Sequence, residues 1–356
     1  GIGDFYYAPP AGFLALCTQN LPDATVVPSE HFNTVLYTGT GAAQSVTGVG
    51  FTPDFTWMKN RSAASGHYLG DTVRGAGYQL ISNNTDAEHY QRQNGYVTSY
   101  DADGFSMTAG SSGAVETNAS GNNYAAWNWK ANGAGVSNTD GTITSSVSAN
   151  VEAGFSIVSY TGTGANATVG HGLSLAPEMV IVKNRSTATY WPVYSSLYNA
   201  SDYLVLNATS ATATASDLWN STSATSSVFA VGTSSWTNLS SDNLIAYAFH
   251  SVDGYSKVGS FVANGAADNA FIHLGFRAAR VMFKRSDSTG NWTIWDNERN
   301  TSNAVDKYLF ANSSNAEGTD AQMDILSNGI KIRTAGYASG GTYIFLAFAE
   351  SPFKHT

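Results

Sequence analysis

The chain has 356 residues, a formal net charge of -9 and a pI near 5.1, with 42% hydrophobic, 12% aromatic and only 12% charged residues. That acidic, charge-poor balance excludes nucleic acid as a partner, because phosphate-backbone binding relies on clustered Lys and Arg. It also disfavours long salt-bridged helices, while the length and apolar content suffice for two or three domains rich in Gly, Ser, Thr and Asn turns.

The chain begins with "GIGDFYYAPPAGFLALCTQNLPDATVVP". Prolines at 9, 10, 22 and 28 predict an extended arm over residues 1–29. Cys17 is the single cysteine, so the sequence holds neither an internal disulfide nor a CxxC metal site, and Cys17 reads as a small buried hydrophobe. No apolar run reaches the roughly 18 to 20 residues that cross a bilayer, so no membrane insertion is expected. The start lacks the basic and apolar parts of a signal peptide, and the missing initiator Met leads to the expectation of an upstream segment.

Three copies of one β-pattern follow. The first opens with "VLYTGTG" (35–41), continues through "GVGFTPDFTWMKNRS" (48–62) and closes with "YAAWNWK" (124–130). The second runs "IVSYTGTG" (157–164), "GLSLAPEMVIVKNRS" (172–186) and "LIAYAFH" (244–250). The third runs "GSFVANGA" (259–266), "LGFRAARVMFKRS" (274–286) and "YIFLAFAE" (343–350). Lys59, Lys183 and Lys284 mark the same place in each copy, 124 and 101 residues apart. Those offsets exceed solenoid periods, so the predicted fold is all-β: three tandem β-sandwich domains, jelly-roll or concanavalin-like, of about 100 residues each. The expected boundaries are 30–131, 154–257 and 258–356, with 132–153 as a Gly, Ser, Thr and Asn rich linker. Asp103-Gly104 and Asn328-Gly329 are predicted hairpin turns, with Gly supplying positive φ.

Candidate functional residues fall into three groups. The recurring basic motif (Lys59, Arg61; Lys183, Arg185; Lys284, Arg285) leaves the end of a buried strand. It is expected to line sheet edges and bond loop carbonyls, the alternative being anion or sugar contacts in similar pockets. Asp71 with Arg74, and Asp296 with Arg299, have a spacing that lets carboxylate and guanidinium meet across a turn, which reads as a structural ion pair. The second copy has "WPVYSSLYN" there and lacks both charges. Tyr68, Tyr90, Tyr96, Trp191, Trp219, Trp236 and Trp292 lie near Asn, Ser and Gly, a composition that suits stacking on sugar rings and equally suits packing between domains or subunits.

Motifs for common chemistries are missing. The seven His residues show no HExxH spacing, and GxSxG, P-loop and dinucleotide fingerprints are absent. Asp101 and Asp103 read as turn residues, without the further spaced oxygens of a calcium loop. No metal or cofactor is expected.

"GFTPDFTWMKNRS", "DTVRG", "DADGFSM" and "AAWNWK", then "MFKRSDSTGNWTIWDNERN", "ILSNGIKIR" and "YIFLAFAESPF", resemble repeated β-domains of marine tailed-phage virion proteins of the tail-fibre, tail-spike or receptor-binding kind. The likeness covers about residues 30 to 353, and "FYYAPPAGFLALCTQNLP" resembles the join after a SPRY-type domain. It implies a virion-surface, extracellular protein, a homotrimer in contact with other virion proteins, that attaches to a host surface glycan without catalysis. The alternatives are a purely structural virion or extracellular assembly subunit, and a glycan depolymerase using Asp71, Glu88 or Asp101. The second copy departs from the pattern over 191–240, which puts a shared function in question.

Overall fold

A computed structural model describes residues 25–110, 115–333 and 340–352, together with Tyr7, Pro10, Ala15 and Asn20. Cys17 and the N-terminal arm before residue 25, those four residues apart, lie outside the described part. The fold is all-β, built from antiparallel sheets.

One strand order recurs in each copy. In the first, the closing strand Asn123–Trp129 lies between Phe32–Thr38 and Phe55–Asn60, and Tyr68–Asp71 follows. In the second, Asn243–Phe249 lies between Phe155–Thr161 and Met179–Asn184, followed by Pro192–Ser195. In the third, Gly341–Pro352 lies between Ser256–Ala263 and Phe276–Arg285, followed by Trp292–Asp296. Registers match as well: Trp57 faces Trp127, Ile181 faces Tyr247 and Met282 faces Leu346.

Strand alternation then divides each sheet's side chains between two faces. Outward residues enter a core private to each copy: Met58 and Ala126 in the first, Val180, Val182 and Ala246 in the second, Val281, Phe283 and Phe345 in the third. Inward residues meet in a single cluster that joins all three copies, including Trp57, Trp127 and Trp129, Ile181, Tyr247 and Phe249, and Met282, Leu346 and Phe348. Rings touch across copies: Phe55 stacks on Tyr247 at 4.4 Å and Phe348 on Phe32 at 5.0 Å. The copies therefore have sandwich cores of their own and, beyond what was expected, a core in common. They are three two-layered units whose inner sheets face one another around a common centre.

Two further expectations change. The segment 132–153 is no free linker, because Val136–Asn138 and Ser145–Asn150 pair in succession onto the edge of Phe155–Thr161 and extend the second sheet. Its alternating Val and Ser residues suit an edge strand. In the hairpins the turn residues are Ala102-Asp103 and Ser327-Asn328, since Asp101 pairs with Gly104 and Leu326 with Gly329. Glycine is required there by close backbone approach: a Cβ would sit 1.9 Å from the Val46 carbonyl oxygen at Gly104 and 2.1 Å from that of Ile272 at Gly329.

Phe348 of the third unit touches Phe32 and Trp129 of the first and Phe249 and Tyr255 of the second. Phe348→Ala is expected to cost about 3–5 kcal/mol of stability in urea titrations at unchanged slope. A cost near that of an exposed substitution would contradict the shared core.

Candidate functional site

The recurring basic motif lies at the joints between units. The Lys59 ammonium donates to the Ser314 carbonyl of the third unit, Lys183 to the Thr85 carbonyl of the first, and Lys284 to the Thr209 carbonyl of the second. Each contact points to a different neighbour, so the three joints close a ring. A second set repeats the cycle: the indole N–H of Trp191 donates to the Ile81 carbonyl and that of Trp292 to the Val205 carbonyl, while His67 stands at the equivalent place against the Phe310 carbonyl. The Trp57 indole N–H donates to Nδ1 of His67, so Nε2 carries the proton and donates in turn. Burial, with Lys59 nearby, pushes the His67 pKa down to about 3 and keeps the ring neutral.

Charge reinforces two of the joints. The Arg74 guanidinium binds the Asp71 carboxylate at 2.6 Å and reaches Glu88 at 3.1 Å, Glu88 pairs with Arg185 of the second unit at 2.8 Å, and the Tyr247 hydroxyl donates to Asp71. Between the third and first units, Arg299 binds Asp296 at 2.7 Å and Glu317 at 3.2 Å, Glu317 pairs with Arg61 at 2.8 Å, and the Trp127 indole donates to Asp296. At the remaining joint Ser195, Tyr198 and Thr212 replace the acid, the base and the second acid, Leu346 takes the place of Tyr247 and Trp127, and Arg285 pairs with Asp287 of its own loop. Asp71 and Glu88 are thus committed to guanidinium partners, and Asp101 accepts from Ser106 within its hairpin. Among the described residues no group of three His, Cys, Asp or Glu is placed to hold a metal ion, and no helix is long and apolar enough to cross a membrane.

Four of the seven aromatics named for sugar stacking are buried. Tyr68 packs in the first unit's private core, Trp219 in the second's, and Trp191 and Trp292 in the shared core, so none offers a ring face to a ligand. For these four the packing alternative is the one that the structure shows. Tyr96 is half-buried against the first unit's private core, and Tyr90, 57% exposed, lies over Tyr78 at 4.6 Å.

Trp236 is different, and it lines an open cleft of about 280 Å³ with Tyr203, Ala215, Asp217, Leu218 and Ser234. Two short helices shape this cleft, Ser216–Trp219 and Ser235–Asn238, and the Ser234 hydroxyl caps the latter by accepting from the Trp236 amide. Buried Asn238 anchors the second helix: its amide group donates to the Ala165 and Gly232 carbonyls and its oxygen accepts from the Thr163 amide, tying the "TGTG" turn to the cleft's base. Tyr190, 44% exposed, packs on the Trp236 ring at 4.8 Å, and Tyr203 meets it edge-on at 6.0 Å. The result is an aromatic wall facing a carboxylate and a hydroxyl. Of the lining residues only Asp217 is charged. The first unit has no Trp at this place: its Thr117-Asn118 corresponds to Thr237-Asn238, and where Trp236 stands it has Glu116, held by Gln79 and Arg92. Tyr190, Tyr203, Asp217 and Ser234 went unnoticed in the sequence, and for the last three the signal was the departure of 191–240 from the repeat.

Burial with little direct compensation lowers the pKa of Lys59, Lys183 and Lys284 to about 8 each. The unfolded chain holds these protons to about pH 10.5, so between pH 8 and 10 it binds more protons than the folded protein and stability rises with pH. The expected slope is up to about 1.4 kcal/mol per pH unit for each lysine. Buried tyrosines raised above their ordinary value, Tyr68 and Tyr160 among them, reverse the trend at higher pH. Urea titrations across pH 7.5 to 10 check this, and a flat or falling curve would refute the buried, charged joints.

No curated protein and no solved structure matches this chain. One family model does, over residues 27–352, and so takes in all three units: the chain belongs to the family described as "Domain of unknown function (DUF7483)".

Proposed function

We propose that the chain is a surface-attachment protein that binds carbohydrate in the second unit's cleft without cleaving it. The observation that carries this reading is the Trp236 ring, packed on by Tyr190, which lines an open cleft of about 280 Å³ together with Tyr203, Asp217 and Ser234. A flat aromatic face supplies the apolar contact for a pyranose, and rim oxygens supply hydrogen bonds. With one carboxylate and no cation lining it, the cleft favours neutral or amino sugars over uronates. Hydrolysis of a glycosidic bond needs two carboxylates flanking the bond, and Asp217 lacks a second among the lining residues.

The resemblance to tailed-phage receptor-binding proteins supports a virion-surface setting with a host glycan as ligand, and a homotrimer would be a trimer of such rings. A purely structural role as a virion or assembly subunit is the second reading, favoured by the burial of Tyr68, Trp191, Trp219 and Trp292.

A panel of neutral, amino and uronic oligosaccharides tests the proposal by calorimetry. Trp236→Ala is expected to weaken binding about tenfold or more. Asp217→Asn should erase any preference for amino sugars while leaving neutral ones bound. Uniform lack of binding, or release of reducing ends, would overturn it.

A further inference from the structure

The second unit's cleft holds a carboxylate without a counter-charge. Asp217 stands exposed in the first turn of the helix Ser216–Trp219 and lines the cleft with Tyr203 and Trp236. Among the described residues its carboxylate has neither a hydrogen bond nor an ion pair. Asp71, Glu88, Asp296 and Glu317 differ in this respect, since each of them holds a guanidinium at a joint. Tyr203 and Trp236 meet nearly at right angles, at 80° with centroids 6.0 Å apart. The faces of aromatic rings attract cations, and a neighbouring carboxylate adds to that attraction.

Charge across the whole unit has the same sign. Between Lys130 and Lys257 the chain carries seven carboxylates against two cations, Lys183 and Arg185, a formal net charge of -5 out of the chain's -9. Both cations are committed at the joint with the first unit, Lys183 to the Thr85 and Thr189 carbonyls and Arg185 to Glu88. Among the described residues none of the seven carboxylates is in an ion pair. A recess in a surface of one sign raises the local concentration of ligands of the opposite sign.

We propose that the sugar taken by this cleft carries a free ammonium group: it is a hexosamine whose nitrogen is not acetylated, bound with the ammonium at Asp217 and the ring against the aromatic side chains. The inference rests on the reading of the cleft as a glycan site and narrows it to one charge class. N-Acetylation replaces the ammonium by a neutral amide and so removes the group that Asp217 and the aromatic faces attract. A neutral hexose keeps the apolar contact and the hydrogen bonds and loses the same attraction.

Calorimetry on the full chain with three β-1,4-linked tetrasaccharides, of glucosamine, of N-acetylglucosamine and of glucose, tests this. The glucosamine oligomer should bind roughly fivefold or more tightly than the other two. That margin should shrink as sodium chloride rises from about 0.05 to 0.5 M, because the attraction to an exposed carboxylate is screened. In Asp217→Asn the margin should vanish, and in Asp253→Asn, which removes an exposed carboxylate of the same unit outside the cleft, it should persist. Equal affinity for the amino and N-acetylated oligomers, or a margin that survives in Asp217→Asn, overturns the inference and leaves the glycan reading standing. Absence of binding by all three overturns both.

Discussion

Everything in this molecule depends on three sheets having an apolar face that only the other two can cover. Trp57, Trp127 and Trp129 from one unit, Ile181, Tyr247 and Phe249 from the next, and Met282, Leu346 and Phe348 from the last would face water in an isolated unit. Burial of apolar area is the main favourable term in folding, so a chain carrying these faces gains most by closing on itself. The lysine and indole donors then set the register of closure. Each reaches a backbone carbonyl in the adjacent unit, and a buried carbonyl left without a donor would oppose any slippage.

Closure by repetition leaves the units free to differ wherever the ring does not use them. Two joints carry Asp, Arg and Glu, and the third carries Ser, Tyr and Thr in the same places with no loss of the cycle of lysine contacts. Buried ion pairs contribute modestly once their desolvation is counted, so losing one set is tolerable where apolar contacts replace it. The same freedom accounts for the second unit's cleft: Trp236 stands where the first unit has Glu116, held by Gln79 and Arg92. The common architecture is a scaffold, and the divergent segment between 191 and 240 is where it acquires a recognisable recess.

Much of the architecture was legible in the sequence. The strand runs ending at Lys59, Lys183 and Lys284, the closing strands and the all-β class follow from period-2 alternation and internal repetition. The shared centre was not, because Trp57 and Met58 are both apolar and alternation alone does not tell whether a face meets a private layer or a neighbouring unit. Edge pairing of residues 136–150 was hidden by a composition rich in Ser and Gly that linkers also have. For Tyr68, Trp191, Trp219 and Trp292 the polar neighbours in sequence suited sugar stacking and packing equally, and only the fold decides for packing. Arg280 is a further case: it stands where the first two units have Phe55 and Met179, and only the converging indoles of Trp57, Trp127 and Trp129 reveal that a charge sits at the centre.

Hydrogen exchange in the native state tests the shared core most directly, through the backbone amides of Trp57, Ile181 and Met282, which sit at matching positions in the three inner sheets. If the centre is common property, all three exchange only by global opening and report one free energy that shifts together with denaturant. Three separate free energies, with one unit exchanging while the others stay protected, would contradict the account.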